Sequence, residues 1–192
     1  LKGEDERLVN RSLLFSPDGR IAARYDKLHL FDVDLPDGTS IRESASFAGG
    51  HAACLARLPW GLAGLTTCYD IRFPALYRSL AEAGAEFLMV PSAFTVPTGE
   101  AHWHPLLRAR AIETGSHVLA AAQGGVHECG RETYGHSLAV SPWGEIIAEA
   151  GIGPQVLVFD VDLGAVAEAR RRIPALAHAR SFSLKKELPI AT

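Results

Sequence analysis

Cys68 ends a short apolar segment and is followed at once by polar side chains. The stretch GLTTCYDIRFP occupies residues 64–74, and a helical pattern begins near Phe73. A thiol on such a strand-to-helix turn is lifted clear of the sheet, and a helix N-terminus close by favours its thiolate. The backbone N–H of Tyr69 can then face the oxyanion formed when the thiol attacks a carbonyl. We therefore predict that Cys68 is a nucleophile, with a small buried structural thiol as the alternative.

A thiol that cleaves amides also needs a positive charge near the tetrahedral intermediate and a group that moves protons. Lys27 is the candidate for the charge, because it follows a predicted strand end and opens the polar loop DKLHLFDVD. Glu43 belongs to the same polar region and could hold the Lys27 ammonium in place. Both residues could also be ordinary solvated surface charges.

The remaining cysteines and the paired histidines do not predict a metal site. Cys54 lies in an alternating apolar segment and is expected in the core, whereas Cys129 lies in the polar loop VHECGRE with His127. The residue pairs 127/129 and 102/104 are each two positions apart, unlike the CxxC or HxxxH pairs of typical zinc sites. We expect no metal and no cofactor.

Composition predicts a globular protein with one domain, residues 1–192. Hydrophobic residues make up 47% of the 192 residues and charged residues 21%, with a net charge of −3. This charge does not favour a nucleic-acid partner. No apolar run approaches the ~20 residues that a membrane span needs. Three cysteines without disulfide-like spacing indicate a reducing compartment, so we predict a cytoplasmic location.

Hydrophobic periodicity predicts an α/β fold with a mixed sheet. A strand–helix–strand–helix–strand order over residues 61–123 indicates parallel pairing, and flanking hairpins indicate antiparallel edges. The first predicted elements are a hairpin over 8–25 that turns at 16–19, a polar loop without regular structure over 26–50, and antiparallel strands over 53–59 and 61–67. A helix from Phe73 to Gly84, a strand over 86–91, a helix over 101–115 with Pro105 in its first turn and a strand over 116–123 follow. The last predicted elements are a hairpin over 134–150, a strand over 155–161 and a short helix ending at Arg172.

Five stretches together resemble the nitrilase superfamily of carbon–nitrogen hydrolases. They are YDKLHLFDVDLP, the Glu43-Ser44 pair, GLTTCYDIRFP, PSAFTVPTGEAHWHPLLRARAIE and YGHSLAVSPWGE. The resemblance implies an αββα four-layer sandwich and a Glu–Lys–Cys triad. It implies Cys68 as nucleophile, Lys27 as the group that stabilises the oxyanion, and Glu43 as a supporting second glutamate.

The same resemblance implies a small-molecule amide substrate and a homodimer or a higher homo-oligomer. Phe94, Thr95 and Thr98 resemble the loop that lines the acyl pocket. His102 is either a substrate contact or a packed surface histidine. The motifs are most similar to the deaminated glutathione amidase branch, with the omega-amidase branch next. The resemblance is also compatible with an N-carbamoyl amide hydrolase or with a non-catalytic assembly module of the same fold.

Three positions depart from the pattern of this superfamily. The triad glutamate that acts as general base normally precedes the segment matched by residue 1, so we expect a domain that is incomplete at its N-terminus. Ala75 stands where a glutamate usually follows RFP. Glu100 stands where proline is common. These departures leave the amide substrate open.

Overall fold

The computed structural model describes residues 1–3, 7–35 and 38–185. In this part of the chain the α-helices are α1 (Pro74–Glu82), α2 (Val96–Thr114) and α3 (Ala165–Arg172). The strands are β1 (Leu8–Val9), β2 (Arg11–Phe15), β3 (Ile21–Asp26), β4 (Asp32–Asp34), β5 (Ser40–Arg42), β6 (Phe47–Ala48), β7 (Cys54–Leu58), β8 (Gly61–Leu65), β9 (Phe87–Met89), β10 (His117–Ala120), β11 (Gly124–Val126), β12 (Glu132–Tyr134), β13 (Leu138–Val140) and β14 (Ile146–Glu149). Two 3₁₀ turns cover Glu43–Ala45 and Cys68–Arg72.

A six-stranded mixed sheet organises the described chain. Its strand order is β14-β13-β10-β9-β8-β7. The three central strands β8, β9 and β10 are parallel, and the outer pairings are antiparallel. The parallel core and the two antiparallel edges that the sequence predicted are therefore confirmed.

The helices α1 and α2 cover one face of this sheet and form the core with it. Leu88, Val118 and Val140 point from three neighbouring strands toward Tyr77, Trp103 and other apolar side chains of the helices. The α1 pattern predicted from the sequence is confirmed, since its apolar positions are buried and Gly84 follows the helix with φ +97°. Burial of large side chains here supplies the main hydrophobic stabilisation of the domain.

The hairpin β2–β3 borders the opposite face of the sheet. It turns over residues 16–19 as predicted, where the Gly19 N–H donates to the Ser16 carbonyl at 2.9 Å. An apolar cavity of about 300 Å³ separates Leu13 and Leu14 from sheet residues such as Met89. The hairpin ends at Asp26, so Lys27 follows the strand directly.

Three expectations about local structure were wrong. The region 26–50 contains the antiparallel pair β4–β5, a 3₁₀ turn and strand β6, which pairs with β1 from outside the region, because backbone partners lie close enough to form brief ladders. Helix α2 begins at Val96, so Pro105 lies inside the helix and not in its first turn. Residues 155–161 form no strand, since among the described residues no neighbouring backbone pairs with them, and Val158 is 92% exposed.

The predicted strands over 53–59, 61–67, 86–91 and 116–123 and the hairpin over 134–150 are present with shifted ends, whereas the hairpin β11–β12 was not predicted. Helix α2 ends at Gly115, which adopts the left-handed conformation with φ +57°, as helix stops commonly do. Within the described residues, none of the helices combines the length and apolar character that crossing a membrane requires.

Candidate active site

The candidate site lies at the carboxyl ends of the three parallel strands. Cys68 follows β8, residues 91–93 follow β9, and Gln123 follows β10. Because the ends of parallel strands meet at one edge of a sheet, the topology brings these distant segments together. The Cys68 N–H donates to the Pro91 carbonyl at 2.9 Å, and the Gln123 N–H donates to the Ser92 carbonyl at 2.9 Å. These bonds hold the three segments at this edge in register.

Cys68 is the first residue of a tight 3₁₀ turn and has a φ of +50°. A non-glycine residue in this left-handed region is uncommon and is held there by its surroundings. The side chain is half-buried and packs against the edge of the core. Helix α1 begins at Pro74, close to the predicted start near Phe73, and the 3₁₀ turn lies between it and Cys68. The influence of its N-terminus on the thiol stays a prediction.

Asp70 organises the turn that carries Cys68. Its fully buried carboxylate accepts the Thr67 N–H at 2.8 Å and the Tyr25 hydroxyl at 2.6 Å through one oxygen. The other oxygen accepts the His29 N–H at 3.1 Å and contacts the His29 ring nitrogen Nδ1 at 2.8 Å. Burial and the nearby Asp70 charge raise the pKa of Tyr25, so its hydroxyl stays a donor. Besides Thr67, the partners of Asp70 lie in the segment around Lys27.

Lys27 and Glu43 form a close ion pair. The Lys27 side chain is 3% exposed and its ammonium donates to Glu43 Oε2. The same oxygen accepts the Phe31 N–H at 2.7 Å, and Oε1 accepts the Asn10 amide at 3.3 Å. Glu43 is thus held from three sides and in turn fixes the direction of the ammonium. The pairing suggested by the sequence is present, and neither residue is a solvated surface charge.

Cys68, Lys27 and Glu43 line one open cavity of about 740 Å³. This volume lies within the range of ~300–1,000 Å³ typical of small-molecule sites. Several polar side chains of its lining have no local signal in the sequence, because they come from segments far apart in the chain. These are Asn10, Arg42, Gln123, Arg131 and Ser137.

A narrow pocket adjoins the cavity on the other side of Cys68. Phe94, Thr95 and Thr98 line it together with Tyr69 and Cys68. Their assignment to an acyl pocket stays a prediction. The Thr95 and Thr98 hydroxyls are 2.7 Å apart and hydrogen-bond to each other.

His102 lies outside both cavities, on the exposed surface of α2. Its Nδ1 contacts the Arg72 guanidinium at 3.2 Å, and Arg72 lines the narrow pocket. The position therefore favours the packed surface histidine over the direct substrate contact.

The predicted role of the Tyr69 backbone N–H stays a prediction. The Tyr69 ring packs edge-on against Phe31 and Phe73.

Arg110 on helix α2 supports the turn that carries Cys68. It is 5% exposed, donates to the Ile71 carbonyl at 2.9 Å and pairs with Glu113 at 2.8 Å. The pair with Glu113 has the i,i+3 spacing of neighbours on one helix face, and the bond to Ile71 makes Arg110 a buried support of the turn.

These features define a carbon–nitrogen hydrolase domain, and the chain belongs to that family. The family model described as carbon-nitrogen hydrolase matches residues 2–171. A deaminated glutathione amidase from Synechocystis is 43% identical over 178 residues, which cover 92% of this chain and 65% of that protein. The chain thus spans just under two thirds of the length of this relative.

Two solved structures show the same fold. Saccharomyces cerevisiae Nit3, a member of branch 10 of the nitrilase superfamily, has a TM-score of 0.80 and 32% identity, covering 89% of this chain and 59% of that one. A Nesterenkonia amidase mutant that shows Michael addition of acrylamide at the active site cysteine has a TM-score of 0.68 and 28% identity, covering 85% and 61%. The nitrilase-like α/β fold implied by the sequence is therefore confirmed.

Proposed function

We propose that the protein containing this chain is an amidase that works through a thioester on Cys68. The observation that carries the proposal is the shared cavity of a half-buried thiol and a buried Lys27–Glu43 pair. A buried lysine held by a carboxylate is expensive to maintain, so its position beside a nucleophile favours a chemical role over a structural one. The acrylamide adduct on the active site cysteine of the Nesterenkonia relative supports the assignment of the thiol.

The geometry supports a two-stage reaction. The Cys68 sulfur attacks the amide carbon, and the carbonyl oxygen becomes an oxyanion facing the Lys27 ammonium and the Tyr69 N–H. Collapse of this intermediate breaks the C–N bond, and the leaving nitrogen departs as ammonia or an amine with the proton that the general base removed from the Cys68 thiol. Water then attacks the thioester, which releases a carboxylate and restores the thiol. Glu43 keeps the ammonium pointed at the oxyanion position throughout.

The substrate we propose is an amide that also carries a carboxylate. Two arginines, Arg42 and Arg131, line the cavity that holds Cys68. The Arg42 guanidinium is paired with the Asp34 carboxylate at 2.7 Å, so Arg131 is the candidate receptor for a substrate carboxylate. The Arg131 guanidinium donates to the Ala93 carbonyl at 2.9 Å, which anchors it at the rim. Guanidinium groups match carboxylates in charge and shape. Deaminated glutathione, named for the Synechocystis relative, is an amide of this kind and is our first candidate.

Three further expectations accompany this proposal. The general base is a glutamate that the resemblance places before the segment matched by residue 1. The protein is expected to form a homodimer or a higher homo-oligomer. Its location is expected to be the cytoplasm. Reading the complete coding sequence and measuring the mass of the protein in solution test the first two.

Trapping the acyl-enzyme tests the central proposal. The protein from the complete coding sequence is mixed with deaminated glutathione, quenched in acid, digested and analysed by mass spectrometry. We expect an acyl adduct on the peptide that contains Cys68 and none in Cys68→Ser. The matched control is Cys129→Ser, which removes an exposed thiol and should keep both adduct and turnover. Unchanged turnover in Cys68→Ser, or an adduct on another cysteine, would contradict the proposal.

A further inference from the structure

His104, His136 and Glu149 converge on one point of the surface, away from the Cys68 cavity. His104 Nε2 lies 2.8 Å from Glu149 Oε1, and His136 Nδ1 lies 3.0 Å from the same oxygen. The three candidate ligand atoms all lie within 4.8 Å of one another. From these contacts we infer that the three side chains form a binding site for one divalent transition-metal ion, with Zn²⁺ as the best match.

The spacing of the three ligand atoms is close to that of a tetrahedral metal site. Tetrahedral Zn²⁺ with bonds of ~2.0–2.1 Å places adjacent ligand atoms about 3.3 Å apart. The two contacts to Glu149 are shorter than this by a few tenths of an ångström, so small side-chain rotations admit the ion. Two imidazoles and one carboxylate are a known zinc ligand set that leaves a fourth position for water. The three side chains are between 26% and 34% exposed, so solvent can reach that position.

Rigid elements hold each ligand in place. His104 lies in the long helix α2, and Glu149 is the last residue of β14. The His136 backbone is held by two hydrogen bonds: its carbonyl accepts the Trp103 indole N–H at 2.7 Å, and its N–H donates to the Gly151 carbonyl at 3.2 Å. Trp103 is fully buried, so this support is part of the core. A site preorganised in this way loses little conformational entropy when the ion binds.

The backbone conformation of His136 also supports a role as a metal ligand. Its φ is +56°, in the left-handed region that a histidine enters only when held there. This conformation directs Nδ1 toward Glu149, and the ring stacks on Tyr134 with centroids 4.4 Å apart. The ring orientation is therefore fixed by both backbone and packing.

Metal selectivity follows from the ligands. Imidazole nitrogen favours Zn²⁺, Ni²⁺ and Cu²⁺, whereas Mg²⁺ prefers oxygen ligands. A bound ion would tie α2 to β14, the edge strand of the sheet. The sequence spacing predicted no metal site, because the structure brings His104 together with His136 and Glu149 from far along the chain.

Metal titration of Cys68→Ser protein tests the inference, because that background removes zinc binding by the nucleophilic thiol. The full protein is stripped with a chelator, and Zn²⁺ binding is measured by calorimetry and against a zinc indicator. We expect one ion per chain, a higher melting temperature and slower hydrogen exchange at β14. Mg²⁺ should give none of these effects. The Co²⁺ complex should show d–d absorption without a thiolate charge-transfer band.

Variants separate this site from other surface groups. His104→Gln and Glu149→Gln should each weaken Zn²⁺ binding by at least about tenfold, since even the loss of outer-shell partners costs ~10–100-fold. The matched control His178→Gln removes an exposed histidine outside the cluster and should bind as the parent does. Both ligand variants should melt cooperatively without metal, because the side chains lie near the surface. Equal Zn²⁺ affinity in all variants, or no binding to the parent, would overturn the inference.

Discussion

Replacing Asp70 by asparagine should loosen the turn that presents the nucleophile. The buried carboxylate accepts two backbone N–H groups, from Thr67 on one oxygen and from His29 on the other. Asparagine is nearly the same size but keeps only one acceptor oxygen. In either orientation of the amide, one of the two backbone N–H groups faces an NH₂ group and loses its partner.

The expected loss of stability follows from the number of hydrogen bonds that asparagine cannot accept. A buried donor left without a partner costs about 1–3 kcal/mol, and hydrogen bonds to a charged group exceed neutral ones by roughly 1 kcal/mol each. Tyr25 and the His29 ring can reverse their donor and acceptor roles, so they soften the loss. We expect Asp70→Asn to lower the free energy of unfolding by about 2–4 kcal/mol. We also expect slower alkylation of Cys68 and lower kcat.

Urea denaturation of the full protein measures the first quantity, and timed iodoacetamide labelling with mass spectrometry measures the second. The control is Tyr25→Phe, which removes the hydroxyl that donates to Asp70 and accepts the Leu28 N–H at 3.3 Å, but leaves both N–H groups on Asp70 paired. It should cost about 1.5–3 kcal/mol, the usual worth of a hydrogen bond to a charged group, and leave the rate of Cys68 alkylation unchanged. An ordinary surface substitution changes the free energy of unfolding by no more than about 0.5 kcal/mol. If Asp70→Asn changes it by no more than this, and Cys68 is alkylated at an unchanged rate, the carboxylate does not organise the turn.

Three further changes test other parts of the site. Lys27→Met should lower kcat by ~10²–10³-fold, the usual loss for one oxyanion donor, while a normal melting curve excludes misfolding. Glu43→Gln should reduce both kcat and stability, since unpairing a buried charge costs about 3–5 kcal/mol; stability equal to the parent's would show that Lys27 does not need the carboxylate. Arg131→Gln should raise KM for a carboxylate-bearing amide but not for a neutral one, and equal effects on both would argue against carboxylate recognition. Burial raises the pKa of the Cys54 thiol, whereas Cys129 is exposed, so iodoacetamide at neutral pH should label Cys129 before Cys54; the reverse order of these two would contradict this.

The sequence predicted the elements whose signals are local. The turn at residues 16–19 and the stop at Gly115 were correct, because a proline–glycine turn and a glycine after a helix act within a few residues. The predicted start of α2 was wrong because the signals for a helix start are also local, and here two of them compete. Pro97 and Pro105 can each open a helix, and the local pattern does not decide which one does. Buried contacts of Gly99 and Trp103 in the folded protein select the earlier start.

Pairing between segments needed the tertiary structure. Residues 155–161 alternate like a strand, but a strand forms only where another backbone supplies its hydrogen bonds, and none of the described residues does so. The residue types of Cys68, Lys27 and Glu43 gave the chemistry of the candidate site from sequence alone. Their shared cavity depends on strand order, which brings β8, β9 and β10 to one edge.

The sequence by itself therefore determined the family, the core periodicity and the candidate nucleophile, because each depends on residue type and short-range spacing. Only the tertiary structure decided which side chains meet. Asp70 gains Tyr25 and His29 from a segment more than forty residues earlier. The cluster of His104 and Glu149 likewise joins a helix to an edge strand. Contacts over such separations are set by packing of the whole sheet and leave no local pattern in the chain.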